Sequence, residues 1–286
     1  MGVSWAHPWQ ALERSPAPTR YAGYCLMRWA EFADRVESGD PGFVGWVTHM
    51  LYGGQVMLLK GAFPKEFMRE LQEKTVAWTR SRPPSFHKML EGSPDFHRII
   101  DLEAGKKYSF RGCKHSAYFY RWNDDPLGIW PSITERWRVA KIVMGLKPDE
   151  YEAFTPKDGV VDRIQVVRYP PAIGYLEPHA DPHLHQRLFF SAYMSKRGVD
   201  YEGGGFYLVN KWNHAIFLED LIDVGDACLG YATVVHGVAP ADRGKATDWS
   251  AADGRWFLSM YSNASDEVPQ RHTGRPEKLQ IEGVTP

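Results

Sequence analysis

The sequence predicts a mainly β protein, a jelly roll or sandwich, preceded by an N-terminal half of mixed helix and loop with a strand. From Val160 onward, short apolar runs recur between turn residues, as expected of an all-β sandwich or jelly roll. Before Val160, apolar residues recur mostly at three- and four-residue intervals, which is helical spacing. The chain has 286 residues, 14% of them aromatic and 24% charged, so it can bury a substantial core and is too apolar to stay disordered.

Taken in order, Ala22 to Val36 has helical apolar spacing and stops near Ser38-Gly39-Asp40-Pro41. Gln55 to Lys60 is a short apolar run, read as a strand. Pro64 stands where a helix starts well, and Glu66 to Trp78 carries that helix. Ser81 to Asp95, rich in Pro, Ser and Gly, reads as a loop. Ile133 to Leu146 reads as a helix ended by Lys147-Pro148. The strands that follow are Val160 to Tyr169, Tyr175 to Asp181, Leu188 to Ser195, Gly205 to Val209, Ala227 to Leu229, Thr233 to Val238 and Arg255 to Ser262. After Ala264 the chain turns polar and contains Pro269 and Pro276, which predicts a loosely packed tail. With no internal repeat or low-complexity linker, the expected organisation is one domain over 1–286. It comprises an N-terminal elaboration (1–159), a β core (160–263) and a tail (264–286).

Thirty-four basic and 35 acidic residues leave a formal charge of −1, unlike the concentrated basic charge of a nucleic-acid binder. Cys25, Cys113 and Cys228 are odd in number and scattered, which fits reduced structural thiols better than a disulfide framework or a zinc finger. The stretch MGVSWAHPWQALER lacks a basic segment leading into an apolar run, so no secretory signal is expected. No run approaches the ~18 apolar residues of a membrane helix. Cytoplasmic residence is the resulting expectation.

The chemistry concentrates in His179, Asp181 and His236. Residues two apart on a strand point to one face, so His179 and Asp181 would reach one point together, and a histidine on another strand can complete a three-ligand set. Two histidines and a carboxylate with other positions open is a facial metal triad. Other roles are open to each residue. The histidines could be satisfied core groups, and Asp181 could cap the turn at Pro182. His183 and His185 share the parity of the pair and could extend the ligand set or make a zinc site, though Pro182 favours a loop beside the site. His97, His115 and His214 have no evident partner. Tyr108, Phe110, Tyr118, Phe119, Tyr120 and Trp122 could line a substrate pocket or pack in the core.

In order, the second half reads Arg168-Tyr169-Pro170-Pro171, Gly174-Tyr175-Leu176-Glu177-Pro178-His179-Ala180-Asp181, Arg187-Leu188, Glu202-Gly203-Gly204-Gly205-Phe206, Gly225-Asp226, His236-Gly237-Val238-Ala239-Pro240, and Arg255 opening the last strand. This succession resembles the prolyl-hydroxylase-like branch of the 2-oxoglutarate and Fe(II)-dependent dioxygenases, over roughly Val160 to Asn263. The resemblance implies a double-stranded β-helix, a cupin-like jelly roll with N-terminal helices packed against it, and His179, Asp181 and His236 as iron ligands. Arg255 would hold the far carboxylate of 2-oxoglutarate, a task suited to a planar guanidinium, and Tyr169 would touch the same co-substrate. Gly203 to Gly205 would form a turn needing backbone freedom. Arg255 follows His236 by 19 positions, further than in many relatives. Lys245 and Arg243 are therefore alternatives, and Gly244 to Gly254 becomes a loop insertion. Arg255 could also be a plain ion-pair partner, and Tyr169 a core tyrosine.

The implied activity consumes O2 and 2-oxoglutarate, releases succinate and CO2, and hydroxylates a C–H bond, with desaturation or ring closure as other outcomes. The carboxylate ligand Asp181 disfavours halogenation. The expected substrate is a small molecule, with a protein or peptide hydroxylase as the alternative. A cupin-like iron enzyme independent of 2-oxoglutarate is the competing enzyme class, and a barrel with a vestigial site the non-enzymatic one.

Overall fold

A computed structural model describes residues 4–108, 110–282 and 284. The first half supplies helices α1 (Ala6–Leu12), α2 (Trp29–Ser38), α3 (Pro41–Tyr52), α4 (Lys65–Arg80), α5 (Leu102–Gly105) and α6 (Trp130–Val143), and strands β1 (Gly23–Arg28), β2 (Gln55–Lys60), β3 (Phe96–Ile100) and β4 (Gly112–Tyr120). The second half supplies β5 (Val160–Tyr169), β6 (Tyr175–Ala180), β7 (Leu188–Tyr193), β8 (Gly205–Val209), β9 (Ala215–Phe217), β10 (Ala227–Tyr231), β11 (His236–Ala239), β12 (Arg255–Ala264) and β13 (Arg275–Pro276).

Among the described residues the strands form one curled sheet in the order β1-β2-β10-β7-β12-β5-β4-β6-β11-β8-β9, with β3 on β4 and β13 on β6. Only β1 and β2 pair in parallel within that order; the other pairings between these strands are antiparallel. The sheet bends at β4, whose Gly112 and Cys113 pair with β6 while His115 to Tyr120 pair with β5. That bend turns one face of β4, β5 and β12 toward β6 and β11. The opposite face carries Ile164, Val166, Phe190 and Leu258 into the main core, where Phe32, Phe43 and Trp137 of the helices meet them. Each fully buried side chain of this size contributes roughly 1.5–3 kcal/mol. The fold is the predicted jelly roll with flanking helices.

Several element expectations need correction. The segment read as a helix from Ala22 begins as strand β1, because Gly23 to Arg28 pairs residue for residue with Gln55 to Lys60. The helix starts only at Trp29, ends at Gly39 in a left-handed conformation (φ 62°), and a second helix follows at once. Pro41 there is at the first helical position, and the Asp40 side chain accepts from Phe43 N–H at 2.7 Å. The residues read as a stop are therefore also a start. β11 begins at His236, since Thr233 to Val235 turn away to bond Pro18 and Thr19. The tail is tied down: β13 pairs with Ala180 and His179, and Val284 is buried beside Tyr207 and Val235. Helices α1 and α3 and strands β3 and β4 were not expected. No helix of the described residues is long and apolar enough to cross a membrane.

Two glycines bear directly on the site. Gly205 sits at φ 97°, and a Cβ there would come within 2.6 Å of Glu219 Oε1. Gly237, next to His236, would place a Cβ 2.4 Å from the Tyr207 hydroxyl. Only glycine lets these strands lie so close.

Candidate metal centre and its cavity

His179 and His236 face each other across the β6–β11 pair, and Asp181 follows β6 directly. Between the His236–His179 and Val238–Leu176 pairings, β11 advances two residues and β6 three. The extra residue lies around Glu177-Pro178, where a proline is tolerated, and the shift turns both Leu176 and His179 toward the interior. The Asp181 N–H donates to the Ala232 carbonyl at 2.9 Å, anchoring the carboxylate's backbone.

The ligand atoms converge. Asp181 Oδ1 is 3.7 Å from His179 Nε2, Oδ2 is 3.6 Å from His236 Nε2, and one such atom from each residue lies within 4.8 Å of the others. Each imidazole Nδ1 lies 2.9 Å from the backbone carbonyl two residues upstream, Glu177 for His179 and Val234 for His236. A carbonyl only accepts, so Nδ1 is the donor and the neutral ring keeps a bare Nε2 lone pair aimed at the shared point. This outer hydrogen bond is the usual support of metal-binding histidines. Burial lowers the His179 pKa, with His236 nearby adding to the effect, so the ring stays neutral. Burial raises that of Asp181, which His236, Lys114 and Arg163 counteract. Phe110 stacks on His179 with centroids 4.5 Å apart and planes 12° apart, while Phe189 packs 4.9 Å from His236.

His179 and Asp181 open onto a cavity of about 320 Å³, within the range of small-molecule sites. Parity along β4 sorts the aromatic cluster. Tyr118 and Tyr120 line the cavity with Tyr108 and Phe110, whereas Phe119 faces the core and meets Trp78 at 5.0 Å. Trp122 backs Tyr120, stacked at 4.5 Å. His183 and His185 stand in the loop after Asp181, in ring contact with His272 and Tyr151 respectively, and neither joins a metal-capable group among the described residues.

Arg255 and Tyr169 pair across β12 and β5 on the interior face, and Arg255 does not line the triad's cavity. It is buried and donates from Nε to Glu219 Oε1 at 2.8 Å, so it is an ion-pair partner. Glu219 also accepts from the Tyr201 hydroxyl and the Phe206 N–H. Around the Arg255 guanidinium lie the rings of Tyr169, Tyr193 and Phe257, at 5.8, 5.5 and 5.5 Å. Among the described residues the buried Tyr169 hydroxyl has no hydrogen-bond partner, and the buried Tyr193 hydroxyl has only the Cys228 thiol to interact with. Burial raises the Tyr169 pKa; the charges of Arg255, lowering it, and Asp181, raising it, both reach this phenol. Lys245, the alternative anchor, lies in a surface loop paired with Asp242 at 3.0 Å, away from the triad, and Arg243 lines the same surface recess. Gly244 to Gly254 is a loop, clamped by Arg168 through bonds to Asp248, Trp249 and Asp253.

Other residues of the site escape sequence reasoning. Lys114 on β4, Arg163 and Gln165 on β5, and Tyr261 on β12 all line the cavity. The sequence carries no clear signal for them: Arg163 follows another charged residue, Asp162, so no alternation of charged and apolar residues marks it. Burial pushes the Lys114 ammonium down to about 8, with Arg98 and Arg163 adding to the effect. His97 and His115 prove to be partners, Nδ1 to Nε2 at 2.8 Å.

No protein-family model matches the chain, and no curated protein matches it in sequence. Solved structures do match. JOX2 in complex with 2OG, Fe and JA superposes with a TM-score of 0.50 at 14% identity, covering 92% of this chain and 80% of that one. The C-terminally truncated T7H of Neurospora crassa, in apo form, gives 0.50 at 12%, covering 83% and 94%. A Pseudomonas putida prolyl-4-hydroxylase gives 0.47 at 10%, covering 81% and 97%. The first two establish a shared fold, and one of them holds 2OG and iron.

Proposed function

We propose that this protein is a non-heme Fe(II), 2-oxoglutarate-dependent dioxygenase that hydroxylates a small molecule. One observation carries the proposal: two bare imidazole Nε2 atoms and one carboxylate converge at the edge of a ligand-sized cavity. Two nitrogens and one oxygen on one side of a metal are the donor set of non-heme Fe(II) oxygenases. The loaded centre supplies oxidative chemistry, in which O2 and 2-oxoglutarate become succinate, CO2 and one oxygen atom inserted into a substrate C–H bond.

The protein's own residues set the geometry. Glu177 and Val234 carbonyls hold the imidazoles in the ligating tautomer. Phe110, Phe189 and Phe206 pack around the two rings and limit their rotation. The far carboxylate of the co-substrate finds donors in Arg255, in the unpartnered Tyr169 hydroxyl and in the Tyr193 hydroxyl. Buried donors lacking acceptors are costly, and a bound carboxylate satisfies them. The cavity beyond Asp181 is left for the substrate.

The test is an anaerobic titration of the purified apoprotein with Fe(II) and 2-oxoglutarate, read by their visible charge-transfer band and by bound iron. The expected result is a band in the wild type and none in Asp181→Ala, with an unchanged far-UV spectrum. Iron bound without a band would instead indicate a cupin-like enzyme independent of 2-oxoglutarate. No bound iron would overturn the proposal.

A further inference from the structure

The cavity beside the triad holds more positive charge than its structure uses. Four cationic side chains line it, Arg98, Lys114, Arg163 and Arg271, against two carboxylates, Asp181 and Asp266. Asp266 is occupied by Arg271, 3.0 Å away, and by the Met89 N–H at 2.7 Å. Asp181 belongs to the metal set. Among the described residues, neither Lys114 nor Arg163 makes an ion pair or a side-chain hydrogen bond, and the Arg163 Nε is buried with no acceptor. Arg163 lies instead 5.2 Å from the rings of both Tyr118 and Tyr261, and Arg98 lies 4.8 and 4.4 Å from those of Phe86 and Tyr108.

Burying a cation without a counter-charge is unfavourable, and bringing further cations near it compounds the cost. The walls between these charges are flat and apolar: Phe96 and Tyr118 stack at 4.7 Å, and Phe110 and Leu176 complete the side nearest His179. We propose that the cavity binds an organic anion, a carboxylate carried on an aromatic or similarly flat apolar body, with Lys114 and Arg163 as its anchors. This names the substrate class for the oxygenase proposed above and rests on that proposal. The anchors differ from those given to 2-oxoglutarate: Arg163 and Tyr169 are six residues apart on β5, about 20 Å of strand.

The experiment uses the anaerobic protein loaded with Fe(II) and 2-oxoglutarate, and as probes a library of aryl carboxylic acids, each beside its primary amide. Binding is measured by calorimetry, and co-substrate binding by the visible band. Acids should bind wild type at least about tenfold tighter than their amides, the scale of one or more charge-assisted hydrogen bonds. Lys114→Met and Arg163→Met should each remove most of that preference while leaving the 2-oxoglutarate titration unchanged, and Lys114→Arg should retain part of it. Equal binding of acids and amides, or binding of neither, would overturn the proposal. So would loss of the 2-oxoglutarate band in the Met variants, which would make these residues co-substrate anchors. Absence of the band in the wild type would sink the oxygenase reading instead, and the acid–amide difference would still decide whether the cavity selects anions.

Discussion

Arg255 and the Lys114–Arg163 pair are both concentrations of positive charge on this sheet, and they are built oppositely. Arg255 is enclosed by three aromatic rings and held by Glu219. Glu219 is itself bonded by the Tyr201 hydroxyl and the Phe206 N–H, so the pair is part of a network. Arg163 lies against two aromatic rings, and among the described residues neither it nor Lys114 has an ion-pair partner; the carboxylate that feels both is Asp181, whose oxygens face the imidazoles. A charge with a dedicated partner stabilises the fold and can serve a ligand from a fixed position. A charge left without one marks where a ligand's own charge belongs.

The contrast makes opposite predictions for stability of the apoprotein. Arg255→Met leaves Glu219 buried and uncompensated, so it should cost about 3–5 kcal/mol in urea unfolding. The double variant Arg255→Met/Glu219→Met should recover much of that loss, because the desolvated charge disappears with its partner. Lys114→Met removes an unpaired cation and should change stability by less than about 0.5 kcal/mol or raise it. A cost for Lys114→Met equal to that for Arg255→Met would erase the distinction.

The triad was legible because strand parity makes a two-residue spacing geometric, and His236 lies on the strand beside His179. Arg255 was legible as the opening residue of β12, but its partner Glu219 was not. Glu219 sits in a short helical turn 36 residues upstream, and no local pattern links the two. Lys114 is hidden because the aromatic residues from Tyr108 to Trp122 read only as a cluster; without a strand there, parity cannot sort the side chains. The docking of the tail is hidden for a related reason. Polar composition describes residues 271–274 correctly, yet they line the cavity because β13 docks on β6, a contact set by tertiary packing. Ala22 to Arg28 failed differently, since a continuous apolar run fits both periods and only pairing with β2 decides.

His97 and His115 extend the comparison to groups kept neutral. The Arg82 carbonyl accepts from His97 Nε2 at 3.1 Å, which leaves His97 Nδ1 as the acceptor for His115 Nε2–H at 2.8 Å. Protonating His97 would set two N–H groups against each other. Burial lowers both pKa values, that of His115 to about 4, with His97 and Arg168 contributing. A depressed folded-state pKa means stability is fully present above the unfolded value near 6.5 and is lost as pH falls toward 4. His115 accounts for up to about 3 kcal/mol of that loss, less any screening by solvent at this partly exposed group. His115→Asn should therefore flatten the fall in unfolding free energy between pH 6.5 and 4, and parallel curves for variant and wild type would refute the neutral pair.

A modest effect on iron affinity is expected where the two regions of the interior meet. Phe110 stacks on His179 on one side and lines the cavity on the other, so it belongs to both the metal centre and the substrate wall. Stacked aromatic pairs contribute about 0.5–1.5 kcal/mol beyond the area they bury. Phe110→Leu keeps an apolar side chain but loses the flat face, leaving His179 its bond to Glu177 and its contact with the His236 ring. Iron affinity should fall between about two- and tenfold by that energy. The 2-oxoglutarate titration at saturating iron should be unchanged, because the Arg255 guanidinium stands among Tyr169, Tyr193 and Phe257. The acid–amide preference should also persist, since both cations remain. A variant that loses the preference while keeping its iron would show that Phe110 orients the anchors and not the metal ligand.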